Sequence, residues 1–314
     1  MTMSQSKNVG SKNTKYSLSK LNLSDPILKS LQPSKQRPLK GLAIVATPIG
    51  NSRDITLRAL DILVEADTIV CEDTRITAKL LSIYGITRPL TAYHEHNAEE
   101  ARPKLIKYLK QGNTIALVSD AGTPLISDPG YKLVRACTDA GIPITPIPGA
   151  SSVLAALMIS ALPTNQFFFA GFLSSKTTAR KKHLKSIANI PATLVIMESP
   201  RRLAGSLEDM AEILGTRIAV IAREMTKLHE ELKHGFLSDL ALHYKLEGPP
   251  KGEVIVVIGP PTKKIITDNE LETLLLEALK NQSIRDAAES ISVVSGLPRR
   301  KVYAQALALK KITK

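Results

Sequence analysis

Cysteine is scarce in this sequence. The chain holds two, Cys71 and Cys137, which lie far apart in apolar stretches. Two such residues provide neither the bridge framework that stabilises small secreted domains nor the clustered spacing of metal ligands. We therefore expect a protein of the reducing cytoplasm that carries no metal.

Long hydrophobic runs are also absent. The longest apolar runs, such as residues 253–261, are far shorter than the roughly 20 residues that cross a bilayer. The amino-terminal stretch is rich in polar residues and lacks the continuous apolar segment that a secretory signal requires. The sequence predicts neither a membrane span nor export.

Basic residues, in contrast, are abundant. The 42 Lys and Arg outnumber the 29 Asp and Glu, which gives a formal net charge of +13 at pH 7. This excess favours a polyanionic partner, and nucleic acid is the first candidate. Net charge governs solubility and encounter rates rather than a site, so a basic protein without a charged partner is also consistent with it.

The length of 314 residues, 43% of them hydrophobic, is sufficient for two α/β domains and a small appendage. Residues 1–38 are basic and show no hydrophobic period, which predicts a disordered tail. Apolar strands then alternate with helical periods, and in the first lobe this predicts a mostly parallel sheet covered by helices. We expect an N-terminal α/β lobe over residues 39–149, a C-terminal α/β lobe over residues 150–262 and a helical extension over residues 263–314.

The predicted strands are short apolar runs bounded by turn residues. They cover residues 41–46, 68–71, 114–118 and 142–147 in the first lobe and residues 166–172, 193–197, 217–222 and 253–258 in the second. Ligands of open α/β sheets bind at the carboxyl ends of the strands, so the loops that follow these strands are where a site is expected.

Three such loops are of note as candidate sites. Residues 46–51 lack the glycine spacing of a loop for NAD or ATP, and Pro48 and Ile49 would obstruct a phosphate. Residues 119–130 hold two Gly, two Pro and two Asp, a composition typical of a compact loop that a ligand approaches closely. Residues 148–152 lead into a helix whose first amides could face an anion. Taken singly, each loop is also explained by an ordinary turn or a helix cap.

The order of the motifs is more specific than any one of them. They are VATPIGN at residues 45–51, DIT at 54–56, CEDTR at 71–75, YHEHN at 93–97, VSDAGTP at 118–124, PIPGASS at 146–152, ESPRR at 198–202 and REMTK at 223–227. From Lys40 to Pro261 this order resembles the tetrapyrrole (precorrin-type) methylase family, and most closely its branch that methylates a cytidine ribose in 16S ribosomal RNA. Porphyrinoid-modifying members look different, with a Gly-rich, acidic-ended first loop and Gly-Asp-Pro in the second, where this chain has Gly122-Thr123-Pro124.

The resemblance implies an S-adenosylmethionine-dependent methyltransferase that modifies the 2'-hydroxyl of a cytidine ribose in the decoding region of 16S rRNA, either as RNA or in the small ribosomal subunit. It also implies two α/β lobes of the tetrapyrrole methylase type with the cofactor in the cleft between them, and a homodimer. The positions that match the family's cofactor contacts are Ile49, Gly122, Thr123, Ile126, Ala150, Ser151, Ser152, Met197, Ala222 and Glu253.

A ribose hydroxyl is a very weak acid, so a general base or a stabilising cation is expected beside it. The candidates on the motifs, which their spacing does not rank, are Glu72, Asp73, Arg75, His94, Asn97, Glu224 and Lys227. Our preferred hypothesis assigns the substrate hydroxyl to Glu224 and Lys227 as catalytic residues. It assigns the RNA phosphates to Arg75, Arg201 and Arg202.

The carboxyl-terminal end has helical periods at residues 283–291 and 299–309 on either side of a Gly-containing turn, as in helix-turn-helix units. Arg299, Arg300 and Lys301 begin the second helix, where positive charge opposes the helix dipole and calls for an anion. We predict that they contact the RNA backbone. The alternative is a module that only packs against the second lobe.

Two other functions are also consistent with the sequence. A methylase for a porphyrinoid or for a protein side chain would share the fold and the cofactor. A non-catalytic RNA-binding module would keep the basic tail and the helical end but would need no cofactor loops.

Overall fold

A computed structural model of the chain describes residues 39–261 and 268–312. The predicted basic tail over residues 1–38 lies outside the described residues. The chain divides into two units, the first ending at Ser152 and the second beginning at Val153.

The first unit contains one sheet whose strands alternate with helices along the chain. The strands are β1 (Leu42–Val45), β2 (Thr68–Cys71), β3 (Leu90–Ala92), β4 (Ile115–Val118) and β5 (Ile144–Ile147). The helices are α1 (Leu57–Glu65), α2 (Thr74–Ile83), α3 (Ala98–Lys110) and α4 (Tyr131–Asp139). The spatial order is β3-β2-β4-β1-β5 and every neighbouring pair is parallel. The predicted parallel α/β sheet is confirmed.

Both faces of the central strands are buried. In β1, Ala43 and Val45 belong to one core cluster and Leu42 belongs to another. In β4, Ala116 and Leu117 divide between the same two clusters in the same way. Helices cover each face of a sheet of this kind, which is why its strands are continuous apolar runs rather than alternating ones.

The second unit begins within α5 (Ser152–Ile159) and contains a mixed sheet. Its strands are β6 (Phe167–Phe172), β7 (Thr193–Glu198), β8 (Ile218–Arg223), β9 (Glu231–Phe236) and β10 (Val254–Ile258). Its helices are α6 (Thr177–Ile187), α7 (Leu203–Leu214) and α8 (Leu237–Glu247). The spatial order is β6-β7-β10-β8-β9, in which only the β6–β7 pair is parallel.

Two strands, β3 and β9, were not predicted from the sequence, and each for a different reason. The strand β3 has three residues, too few for a pattern. The strand β9 lies at the edge of the second sheet and holds Glu231, Lys233 and His234, so it lacks the apolar run by which the other strands are recognised. Edge strands commonly carry charged residues, because an apolar edge invites aggregation.

The helical extension forms a third packed group. Its helices are α9 (Asp268–Ala278), α10 (Ile284–Ser295) and α11 (Arg299–Ile312), and they share a core that includes Leu271, Leu275, Ala288, Val302 and Ala306. Ser283 caps α10 by accepting a hydrogen bond from the Asp286 N–H at 3.2 Å, and Gly296 ends it in the left-handed conformation. No helix among residues 39–261 and 268–312 is long and apolar enough to cross a bilayer.

Candidate active site

The loops that follow β4, β1 and β5 meet at one edge of the first sheet, because these strands are neighbours and parallel. Thr47 and Gly122 exchange two backbone hydrogen bonds, at 2.9 and 3.0 Å. The Thr47 hydroxyl also donates to the carbonyl of Ser119 at 3.1 Å. The Thr123 hydroxyl donates to the carbonyl of Ala150 at 3.1 Å. The three loops therefore form one layer, held by main-chain pairing and by two threonine hydroxyls that donate to main-chain carbonyls.

Two glycines make this close approach possible. Gly122 has φ +79°, and a Cβ at this position would lie 3.3 Å from Cγ2 of Ile49. A Cβ on Gly149 would lie 3.0 Å from Cβ of Ala46. Four of the residues that match cofactor positions, Ile49, Gly122, Thr123 and Ala150, are thus in mutual contact or adjacent, while Ser151 and Ser152 follow directly at the start of α5.

The β4–α4 loop is held in unusual backbone conformations. Leu125 and Ser127, which are not glycines, have φ values of +72° and +68°. Such conformations cost about 1–3 kcal/mol each and persist where the surroundings over-determine them, often at functional sites. Between them Ile126 leaves 42% of its surface exposed, which is apolar area that a flat ring could cover. The loop chemistry fits the adenosine portion of the implied cofactor.

A group of carboxylates lies at the ends of β2 and β4. Asp120 accepts a hydrogen bond from the backbone N–H of Asp73 at 3.0 Å. Burial raises the pKa of Glu72, Asp120 and Asp128, and neighbouring carboxylates raise each further. The pKa of Asp128 reaches about 6 despite a hydrogen bond from Ser119 that lowers it. Sequence reasoning selected Glu72 but missed Asp128, for which the only signal was its place in the loop.

Asp128→Asn is expected to stabilise the protein in alkaline but not in acidic solution. The folded pKa of about 6 exceeds the ordinary value of 3.8, so ionisation of Asp128 opposes folding progressively as the pH rises from 4 to 6. Discounted for partial exposure, the gain at pH 8 is about 1–2 kcal/mol. Urea unfolding of both proteins at pH 4 and pH 8 measures it, and an equal difference at the two pH values would contradict the raised pKa.

In the second unit, two residues that match cofactor positions, Met197 and Ala222, lie in one row across the sheet. Met197 of β7 pairs with Ile255 of β10, and Ile255 pairs with Ala222 of β8. Side chains of directly paired residues share a face of the sheet. Ala222 and Ile255 are buried and Met197 is half-buried. The row is therefore an apolar surface, with the flexible side chain of Met197 at one end. Sequence spacing did not reveal this neighbourhood, because β10 follows β8 along the chain but lies between β7 and β8.

Glu224, Lys227 and Glu253 form one cluster at the ends of β8 and β10. The Lys227 Nζ lies 2.8 Å from Oε1 of Glu224 and 3.3 Å from Oε2 of Glu253. Oε1 of Glu224 also accepts a hydrogen bond from the Glu253 N–H at 3.0 Å. Glu224 has φ +51°, and a Cβ on Gly252 would lie 2.1 Å from Oε1 of Glu224. The backbone is therefore shaped to hold this carboxylate against the lysine.

The charges of Glu224 and Lys227 are fixed at neutral pH. The hydrogen bond from Lys227 lowers the pKa of Glu224, so its carboxylate is ionised and already engaged. Burial lowers the pKa of Lys227, but the hydrogen bonds and charges of Glu224 and Glu253 outweigh burial and raise it overall. Lys227 is thus a held cation, which suits stabilisation of a developing oxyanion, whereas Glu224 is a poor proton acceptor.

The arginines predicted to contact phosphate differ in their surroundings. Arg75 is largely exposed and pairs with Asp73 at 2.6 Å. Arg201 is exposed at the start of the short 3-10 helix before α7. Arg202, in contrast, pairs at 2.7 Å with the buried carboxylate of Glu198 and donates to the carbonyl of Leu173. Arg202 therefore has a structural task that competes with binding an RNA phosphate.

The three cations of the helical extension are all exposed at the start of α11. Arg299 pairs with Glu289 at 3.1 Å and Lys301 with Asp268 at 3.6 Å. Exposed pairs of this kind contribute little to stability and open readily, so these cations are accessible to an anion.

The other candidates near the proton transfer take structural positions. Asp73 caps α2 and its hydrogen bond with Arg75 lowers its pKa, which makes it a weak base. Asn97 accepts a hydrogen bond from the His94 N–H and donates to the carbonyl of Ala92, which closes the turn after β3. Nδ1 of His94 is buried and has no hydrogen-bond partner among the described residues.

Comparison with known proteins places this geometry in a family. The model of the tetrapyrrole (corrin/porphyrin) methylases matches residues 41–241, and that of the RsmI C-terminal HTH domain matches residues 266–310. The ribosomal RNA small subunit methyltransferase I of Mesorhizobium japonicum is 50% identical over 276 residues, which are 87% of this chain and 94% of that protein. The protein of the same name from Erythrobacter litoralis is 46% identical over 270 residues, 86% of this chain and 95% of the relative.

Among solved structures, uroporphyrin-III C-methyltransferase from Thermus thermophilus, complexed with S-adenosylhomocysteine, aligns with a TM-score of 0.50. It is 20% identical and the alignment covers 70% of this chain and 97% of that one, which shows the fold alone. The predicted fold, two α/β lobes of this type with a helical extension, is confirmed. The chain therefore belongs to the tetrapyrrole methylase family and, within it, to the group of the ribosomal RNA small subunit methyltransferase I proteins.

Proposed function

We propose that this protein transfers the methyl group of S-adenosylmethionine to the 2'-hydroxyl of a cytidine ribose in the decoding region of 16S ribosomal RNA. The coarser statement, an S-adenosylmethionine-dependent methyltransferase for small-subunit rRNA, follows from family membership. The cytidine, the ribose oxygen and the decoding region are our proposal. The observation that carries the choice of a hydroxyl acceptor is the Lys227 cation held between Glu224 and Glu253.

The residues divide into those that hold the cofactor and those that act on the acceptor. The loops at Thr47, Gly122 and Ala150 would hold S-adenosylmethionine. Met197 and Ala222, which share a row of the second sheet, also match cofactor positions. When bound, S-adenosylmethionine supplies a methyl group on a sulfonium, which is already a strong electrophile. The protein's task is therefore alignment and charge stabilisation.

On the acceptor, Lys227 and Glu224 have different tasks. The Lys227 ammonium would lower the energy of negative charge that develops on the ribose oxygen as its proton passes to solvent water. Glu224 would act as a positioning residue, because its ionised carboxylate is occupied by Lys227 and by the Glu253 N–H. We assign the RNA backbone to Arg75 and Arg201 and to Arg299, Arg300 and Lys301 of the helical extension.

Further parts of the proposal concern assembly and location. We propose that the substrate is the small ribosomal subunit or its 16S rRNA, that the protein works in the cytoplasm and that it forms a homodimer. Phe167 and Phe172 are large apolar side chains exposed on the edge strand β6, which suits burial against a second copy. Sedimentation velocity of the full chain tests the dimer.

The proposed reaction is tested by incubating the protein with labelled S-adenosylmethionine and small subunits lacking the modification, naked 16S rRNA or uroporphyrinogen. We expect label in the RNA or the subunit, and mass spectrometry of the digested nucleosides to show a methylated cytidine ribose. A methyl group on a base would contradict the ribose assignment. Label in uroporphyrinogen would indicate a porphyrinoid methylase, and label in none would favour an RNA-binding module.

Gly122→Ala is expected to weaken S-adenosylmethionine binding about tenfold, because the strain of a side chain at φ +79° and 3.3 Å from Ile49 displaces the loop. The matched control is Gly112→Ala, since Gly112 has φ +91° but nothing within 4 Å of its added Cβ. Isothermal titration calorimetry gives the three dissociation constants. Equal dissociation constants for Gly122→Ala and Gly112→Ala would show that this loop does not bind the cofactor.

A further inference from the structure

The first unit contains a cavity of about 400 Å³ that the sequence analysis did not anticipate. It lies between the turn after β3 and the start of α4, and Tyr93, Glu95, Asp128, Tyr131 and Lys132 are among the residues that line it. Its volume is within the range of sites for small molecules, roughly 300–1,000 Å³. It has no part in the roles assigned above.

The β4–α4 loop, one of the proposed cofactor loops, also contributes to the lining of the cavity. The β4–α4 loop pairs with the β1 loop through Gly122 in its first half. Its second half supplies Asp128 to the cavity. This division follows from the strand order, because β4 lies between β1 on one side and β2 and β3 on the other. A molecule in the cavity would therefore share a loop of strained backbone with the cofactor.

The lining combines an aromatic ring with hydrogen-bond acceptors. Tyr131 leaves 68% of its surface exposed at the first position of α4, where its ring is available for stacking. The carboxylates of Asp128 and Glu95 can only accept hydrogen bonds when they are ionised. Aromatic side chains stack on nucleobases, and carboxylates accept from the exocyclic amine of cytosine.

The hydrogen-bonding groups of the lining also distinguish cytosine from uracil. Uracil has a carbonyl oxygen where cytosine has its amine, and this oxygen would face a carboxylate without a hydrogen between them. A base that presents an amine is the chemistry that this lining matches.

We propose that this cavity binds a cytosine base of the RNA substrate, with the Tyr131 ring stacked on the base and the Asp128 carboxylate accepting a hydrogen bond from its exocyclic amine. That the substrate offers a cytidine rests on the proposed function. Asp128 is thus a residue that determines specificity, and Tyr131 is a binding residue. Lys132, whose ammonium pairs with Glu99 at 2.9 Å on the exposed rim, is placed to meet the adjoining phosphate.

In the test, the protein is titrated with cytidine 5'-monophosphate or with uridine 5'-monophosphate. Protein NMR monitors each titration and gives the affinity for each nucleotide. The wild type is expected to prefer the cytidine nucleotide. Tyr131→Ala should weaken binding about tenfold, whereas Tyr131→Phe should retain it. Asp128→Asn should abolish the preference, since an amide also donates to the uracil oxygen. The control Glu100→Gln neutralises an exposed acid that pairs with Lys104 at 2.6 Å and does not line the cavity, and it should alter nothing.

Two results would overturn the proposal: no preference for the cytidine nucleotide in the wild type, or affinities that Tyr131→Ala and Asp128→Asn leave unchanged. Methyl transfer to small subunits by the same preparations is measured separately. Transfer without a preference for the cytidine nucleotide overturns the cavity assignment alone. Preference without transfer overturns the proposed function while the cavity assignment stands.

Discussion

Lys227→Met is expected to lower kcat for methyl transfer to small-subunit rRNA by about 10²–10³-fold, the effect of removing one donor that stabilises an oxyanion. Methionine keeps the length of the side chain but not its charge, so Glu224 and Glu253 would face each other with no cation between them. Glu224→Gln should have a smaller effect of about tenfold, because it leaves the charge of Lys227 and removes only the carboxylate that positions it. Single-turnover rates with saturating S-adenosylmethionine measure both.

The control for the lysine is Lys245→Met, since Lys245 pairs with Glu208 at 2.8 Å on the exposed face of α8. It should leave the rate unchanged. Cofactor affinity is measured for each variant by calorimetry, because Glu253 also matches a cofactor position. A Lys227→Met protein with the wild-type rate would refute the role of the cluster, and a protein that loses cofactor binding as well as turnover would assign Lys227 to the cofactor instead.

Asp209→Ala is expected to cost about 3–5 kcal/mol of stability, because it leaves Arg180 as an unpaired charge in the interior. The Nε and Nη2 of Arg180 lie 2.6 and 2.5 Å from Oδ2 of Asp209, and each residue is 6% exposed. The pair joins α6 to α7. Chemical denaturation followed by circular dichroism measures the loss.

Two comparisons make this result interpretable. Asp139→Ala removes the partner of Arg135 from an exposed pair and should cost no more than about 1 kcal/mol. The double variant Arg180→Met with Asp209→Leu should regain most of the stability, since apolar residues that replace both members of a buried pair are often neutral. If Asp209→Ala cost as little as Asp139→Ala, the buried pair would be of no importance to the fold.

The fold was largely predictable because its signals are local. The apolar runs of β1, β2 and β4 identified buried parallel strands, and the Gly296 turn identified the paired helices of the extension. The family, the enzyme class and the cofactor predicted from the ordered motifs are confirmed by the comparisons. The assigned roles of individual site residues stay predictions.

Local patterns could not reveal the neighbours that make the site. Asp128 is an acid in a loop until folding buries it near Glu72 and Asp120, which raises its pKa. In the sequence, Tyr131 is only a residue at the start of a helix. In the folded chain, the turn after β3 lies opposite Tyr131 and the two enclose a cavity. Burial and charge depend on residues distant in sequence, and neither is encoded in the spacing around one position.

Cysteine scarcity, basic charge, alternating strands and helices, and the order of the motifs were determined by the sequence alone, because each is a property of residue types along the chain. Which residues act together was decided only by the tertiary structure. The strand order placed Thr47 against Gly122 and inserted β10 between β7 and β8, and that insertion brought Glu253 to Lys227. The physical reason is that strands pair to satisfy their backbone hydrogen bonds, and the paired strands can be far apart in sequence. The sequence near one strand therefore does not indicate which strand it pairs with.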